Sequence, residues 1–131
     1  MSRSVLAEHV AAWLRKARRD LEAAEWDLSA ATPFLDDAVF HSQQAAEKAL
    51  KGFLTARDVV FTKTHDIGEL AQPVIAEYPE MEPLLRRASS LTAYAWRYRY
   101  PGEPPEPSRQ EANQAVEIAR ELLAAIEERV V

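Results

Sequence analysis

Phe40-His41-Ser42-Gln43-Gln44-Ala45-Ala46-Glu47-Lys48-Ala49-Leu50-Lys51 contains neither glycine nor proline, and its apolar residues recur at helical spacing. At 100° per residue, Ala38, Val39, Ala45, Ala46, Ala49, Leu50 and Phe53 fall on one face of a helix predicted over about residues 34–57. His41, Gln44, Lys48 and Lys51 form a narrow polar stripe opposite, expected to be exposed, and Phe40, Gln43, Glu47 and Leu54 lie at the border. The alanines on the apolar face would let a neighbouring helix approach closely.

Outward from this helix the pattern stays helical. Before it, Val10, Trp13/Leu14, Ala17, Leu21, Ala24, Leu28 and Ala31 mark one face of a helix over about 5–30, with Arg15, Lys16, Arg18, Arg19, Glu22 and Glu25 filling much of the other side. Thr32-Pro33 separates the two, the threonine a suitable cap and the proline tolerated in a first turn. After it, residues 58–64 read as a loop, and Asp66-Ile67-Gly68-Glu69 has the form of a helix cap. The third helix would bury Ile67, Leu70, Ala71, Val74 and Ile75, be kinked by Pro73 and end at Tyr78-Pro79-Glu80. A fourth, over about 81–99, would bury Met81, Leu84/Leu85, Ala88, Leu91, Ala95 and Tyr98, with Arg87, Ser90, Tyr94 and Arg97 as a second stripe. A proline-rich loop at 101–107 follows, then the capping box Ser108-Arg109-Gln110-Glu111 and a last helix to about 130 that buries Ala112, Ala115, Ala119, Leu122, Ile126 and Val130. Val59-Val60-Phe61-Thr62 is the best strand-like stretch and has no partner to pair with. The expected fold is therefore all-α: one domain over residues 1–131, an up-and-down antiparallel bundle of four to five helices.

Composition excludes several kinds of chemistry. The chain of 131 residues has no cysteine, which removes disulfides, thiolate zinc sites and cysteine nucleophiles. Three histidines, at 9, 41 and 65, lack the spacing of zinc or di-iron motifs. Asp37 and His41 sit four apart and could hold a metal, but such a pair is more often a surface ion pair, so no metal and no cofactor is expected. Only three glycines occur and no phosphate-cradling loop is present. With no apolar run near the roughly 20 residues of a membrane span, no membrane contact and a cytoplasmic location are expected. A net charge of −5 argues against non-specific binding of long nucleic acid except through a local basic patch.

Three segments together carry a resemblance: residues 40–51 above, Thr64-His65-Asp66-Ile67-Gly68-Glu69-Leu70, and Arg97-Tyr98-Arg99-Tyr100-Pro101. In content and order they resemble the prokaryotic HEPN family, named for higher eukaryotes and prokaryotes nucleotide-binding. The likeness spans about residues 8–128. The resemblance implies a helical bundle, commonly a homodimer. It also implies a partner, a minimal nucleotidyltransferase encoded nearby, in some cases within a toxin–antitoxin module. Many members are metal-independent ribonucleases marked by Arg, four to six residues, then His, near the start of the last helix. Here no histidine follows Arg97 or Arg99. Arg3 and His9 match the spacing at the wrong end of the chain.

The candidate nucleotide- or RNA-binding residues are therefore Arg97, Arg99, Tyr100, Lys48, Lys51 and His65. Guanidinium groups fork onto phosphates and stack on bases, and tyrosine adds stacking. His65 stands before a helix N-terminus, where an anion is favoured, and has the right intrinsic pKa for acid–base work. His65 with Arg97 or Arg99 would be the catalytic pair of a ribonuclease with a non-standard site. Glu47, at the edge of the apolar face, calls for a counter-charge, expected from an arginine of the fourth helix. The leading expectation is a partner subunit of a nucleotidyltransferase; the alternatives are that ribonuclease and a non-enzymatic nucleotide-binding or assembly bundle.

Overall fold

Ser2 begins the first helix, its hydroxyl accepting the Val5 N–H at 3.2 Å and satisfying one of the donors a helix start leaves open. In the computed structural model, which describes residues 2–102 and 106–130, five α-helices follow: α1 Arg3–Ser29, α2 Leu35–Ala56, α3 Ile67–Glu77, α4 Glu82–Ser89 and α5 Arg109–Arg129. Two short 3₁₀ turns, Pro79–Met81 and Thr92–Ala95, flank α4, and no strand occurs among the described residues.

The expected caps are present at α3 and α5, where Asp66 accepts from Glu69 N–H at 3.3 Å and Ser108 from Glu111 N–H at 3.0 Å. The start of α2 differs: Phe34 is the capping residue and supplies no side-chain bond, so Thr32 does not cap it. The end of α2 is closed by backbone alone. Val59 N–H reaches Leu54 C=O at 2.9 Å and Asp58 N–H reaches Thr55 C=O at 3.0 Å, with Asp58 left-handed at φ 54°. The helix α3 runs through Pro73 without ending there.

The single helix expected over 81–99 is instead α4 plus a 3₁₀ turn. Ser89 and Ser90 turn their hydroxyls back onto the carbonyls of Arg86 and Arg87 at 2.7 and 2.6 Å, and such local bonds compete with helix continuation. Beyond the turn, Tyr98 is held left-handed at φ 68°, a conformation no helix contains. The proline-loop residues 103–105 lie outside the described residues.

α1 and α2 lie antiparallel: Trp13 meets Gly52, Asp20 meets His41 and Lys48, and Asp27 meets the start of α2. A Cβ added at Gly52 would stand 3.1 Å from Leu14 Cδ2 and 3.2 Å from Trp13 Cβ, so the crossing depends on that glycine. The segment 57–66 carries the chain back along α2, so α3 sets off beside Glu47 and finishes beside Arg57. Antiparallel succession then resumes: α4 returns along α3, with Gly68 near Ser89, and α5 returns along α4, with Arg87 bonded to Glu121 and Tyr94 to Glu111. The core is one cluster built around Phe53, Leu21, Leu50, Leu54, Ile67, Leu85, Leu91, Leu122, Leu123 and Ile126. Each such side chain contributes about 1.5–3 kcal/mol by leaving water. No described helix is long and apolar enough to cross a membrane.

Candidate functional site

The polar residues of α2 do not form an exposed stripe. Lys51 is buried, and His41, Gln44 and Lys48 are half-buried, because α1 and the loop 57–66 cover that side of α2. Two polar networks result, interleaved along α2: Gln43, Glu47 and Lys51 belong to one, and Asp37, His41 and Lys48 to the other.

The first centres on Glu47, only 4% exposed. It accepts from Gln43 Nε2 at 3.0 Å, Lys51 Nζ at 3.0 Å and His65 Nδ1 at 2.7 Å. Burial alone would raise its pKa, but these three hydrogen bonds and the Lys51 charge together hold the carboxyl below its usual range. The expected arginine of the fourth helix is not its partner. Helix α4 packs on α3 and α5, and the loop delivers His65 to Glu47 instead. Gln43 also donates to His65 C=O at 3.3 Å, so α2 fixes the loop by its backbone as well. His65 is otherwise exposed, its ring at the rim of a cavity of about 470 Å³ lined by Trp13, Lys51, Phe61, Lys63 and Thr64.

That cavity has a definite chemistry. Trp13 and Phe61 meet edge to face with ring centres 6.4 Å apart, and Lys51 Nζ lies 5.7 and 6.0 Å from the two ring centres. A smaller cavity, about 240 Å³, also borders Trp13 and is lined by His9, Ala12, Lys16 and Lys48. Lys51 is committed to Glu47, and Lys48 to Asp20 at 2.5 Å. Lys16 and Lys63 form no ion pair with any described residue, and each lines one of the two cavities that border Trp13. Periodicity does not single out Trp13, Phe61, Lys16 or Lys63 as site residues, since Trp13 reads as one more residue of a buried stripe. The available signal is the alternation Phe61-x-Lys63-x-His65 in the loop.

The second network runs from the middle of the α1–α2 crossing, at Asp20 and Lys48, to the corner where Asp27 meets the start of α2. Asp20 accepts from both Lys48 and His41 Nδ1, the latter at 2.9 Å. Burial would raise Asp20, but these bonds and charges outweigh it and hold it low. The same bond raises His41, against its partial burial. His41 Nε2 stands 3.4 Å from Asp37, the surface pair expected from their spacing, but Asp27 joins them. Burial, then the neighbouring Asp37, push Asp27 up to about 6.

Arg99 belongs to this second network. Its guanidinium stacks 3.9 Å from the Phe40 ring centre and lies 3.5 Å from Asp37 Oδ1. Arg97 and Tyr100 are exposed beside it. No described contact joins His65 to Arg97 or Arg99; their anchors on α2, Glu47 and Phe40, are about 10 Å apart along the helix. The six candidate residues thus divide: Lys48, Lys51 and His65 stand around Trp13, and Arg97, Arg99 and Tyr100 stand at the α1–α2 corner. Tyr94 and Tyr98 stack on one another and donate to Glu111 at 2.7 and 3.2 Å, which ties the Arg97–Tyr100 segment to the first turn of α5. Burial, and then Glu111, raise the Tyr94 hydroxyl well above its ordinary value.

Comparison with known proteins bears on the fold that holds these networks. A family model described as the HEPN domain matches residues 10–129. The structure is similar to the crystal structure of ST0689, an archaeal HEPN homologue, with a TM-score of 0.75, 27% identity and 100% of both chains covered. It is also similar to the crystal structure of TT1696 from Thermus thermophilus, with a TM-score of 0.73 and 35% identity over 91% of this chain and 96% of that one. No curated protein matches. The family match takes in the whole of α2 to α5 and all but the first turns of α1, including both polar networks, and the chain belongs to the HEPN domain family.

Proposed function

We propose that this HEPN domain is the partner subunit of a minimal nucleotidyltransferase, as in the toxin–antitoxin modules of such pairs, and that it contacts a nucleotide or an RNA phosphate through the cavities around Trp13. The supporting observation is the wall of the larger cavity: two aromatic rings meeting edge to face, Lys63 in no ion pair with a described residue, and a histidine at the rim. Its volume of about 470 Å³ suits a mononucleotide. Aromatic faces accept any base, and lysine meets a phosphate as a point charge. The outer face of α1 extends the charge with Arg15, Lys16 and Arg19, so a longer strand would find further contacts. The chain lacks the Arg-x4-6-His spacing of the family's ribonucleases near α5, which favours binding over cleavage.

The test is a tryptophan-fluorescence titration with ATP and with a short single-stranded RNA, on wild type, Lys63→Ala and Trp13→Leu, alongside co-purification with a nucleotidyltransferase encoded next to it. Saturable binding is expected, weakened about tenfold by Lys63→Ala, equivalent to roughly 1.4 kcal/mol. No response to either ligand, together with no complex on co-expression, would remove the proposal. Metal-free cleavage of tRNA by the pure protein would replace it with the ribonuclease.

A further inference from the structure

Asp27 in the last turn of α1, Asp37 in the first turn of α2 and His41 one turn later offer two oxygens and a nitrogen that all lie within 4.8 Å of one another. The chain brings Asp27 there by a short link: Phe34 N–H donates to Asp27 C=O at 3.1 Å and closes the corner between the helices.

Proximity of acidic groups alone is common, but two further features point to a ligand. Asp27 is only 8% exposed, and its Oδ2 is buried with no hydrogen-bond donor among the described residues; the polar group beside it is a second carboxylate, Asp37. A buried carboxylate oxygen without a donor is costly and calls for a positive centre. Arg99 does not supply it, since its guanidinium faces Asp37 Oδ1, and His41 acts on Asp27 by charge without a hydrogen bond to it. The second feature is the orientation of His41. Its Nδ1 is occupied by Asp20 at 2.9 Å, and its Nε2 is turned to Asp37 Oδ2 at 3.4 Å, beyond a good hydrogen bond. A carboxylate on one ring nitrogen with the other aimed at a cluster of oxygens is the outer-shell arrangement of a metal-bound histidine. Asp20 is itself fixed by Lys48.

We propose that Asp27 Oδ2, Asp37 Oδ2 and His41 Nε2 bind one divalent transition-metal ion. Two carboxylates and an imidazole suit Zn²⁺ or Mn²⁺ better than Mg²⁺ or Ca²⁺, which prefer oxygen alone. Ligand bonds of about 2.0–2.2 Å require the three groups to close by about an ångström, within reach of side-chain rotation. The two carboxylates neutralise the ion, and Asp37 keeps its other oxygen for Arg99. The ion pins the end of α1 to the start of α2 and leaves ligand positions open.

Zn²⁺ and Mn²⁺ are each titrated into chelator-treated full-length protein by calorimetry, with thermal melts in parallel. One ion per chain, at micromolar affinity or tighter, is expected, with a rise in Tm at saturation. Asp27→Asn and His41→Gln should each weaken binding at least tenfold, and His65→Ala should leave it unchanged. Metal-free Asp27→Asn should melt at or above wild type, since it relieves two crowded carboxylates, so its lost binding would not reflect misfolding. Failure of both ions to bind below millimolar concentration, survival of binding in both corner variants, or its loss in His65→Ala would each overturn the site.

Discussion

Glu47 shows what a single side chain does here. Its three donors come from two parts of the chain, α2 itself and the loop 57–66, so it is the charge that fastens the loop to the helix. Glu47→Ala should cost about 3 kcal/mol in urea unfolding, because it leaves Lys51 buried without its counter-charge. The same carboxyl sets an acid limit. Its folded pKa lies below the unfolded value near 4.5, so its contribution is complete above about pH 4.5 and is lost as pH falls through the folded value. Urea melts between pH 7 and pH 3 should show that loss in wild type and a flatter profile in Glu47→Gln; identical profiles would mean another group controls acid unfolding. That Glu47 needs a partner was legible from its place at the edge of an apolar face. Which partner was not, because helical periodicity says nothing about where a loop comes to rest.

Elements were legible where the sequence carries capping chemistry. Asp66 and Ser108 start α3 and α5 as their spacing indicates. The residue at the start of α2 caps nothing, and α4 ends early for reasons that a hydrophobic stripe cannot show: serine hydroxyls turned onto carbonyls, and a tyrosine in left-handed backbone. The stripe persisted as far as Leu91; beyond it Tyr94, expected on the second stripe, is the buried residue, and Ala95 and Tyr98 are only half-buried, because the 3₁₀ turn changes which side chains face inward. The α1–α2 crossing can be tested at Gly52. Alanine there gains about 0.5–1 kcal/mol of helix preference. It must also displace Trp13 Cβ and Leu14, an overpacking cost of about 1–3 kcal/mol. A net destabilisation of about 1 kcal/mol is expected, read as a lower Tm. A higher Tm would mean that the two helices slide apart freely.

Across the whole molecule, the all-α class followed from periodicity, whereas the division of the candidate residues between two places did not. Residues equally spaced along a motif can face different neighbours once α1 and the loop are laid on α2. The exposed aromatics Trp26, Phe34, Trp96 and Tyr100 belong to the end of α1, the start of α2 and the segment that Arg99 holds against α2, so they gather at one end of the bundle. Burial of that end against a second copy would be consistent with a homodimer. Trp26→Glu combined with Trp96→Glu should then halve the mass measured by light scattering after size exclusion; an unchanged mass would place the contact elsewhere or exclude it.

The bond of Tyr94 and Tyr98 to Glu111 has a consequence for connectivity. Glu111 sits three residues inside α5, and the tyrosines sit just before the proline segment, so the two sides of that segment are joined through side chains as well as through the chain. Packing and covalent order are therefore separable at this point. A chain cut between 102 and 106 would remain two interlocked pieces, with α5 seated by its own apolar face, and extra residues could be spliced in there without moving either polar network.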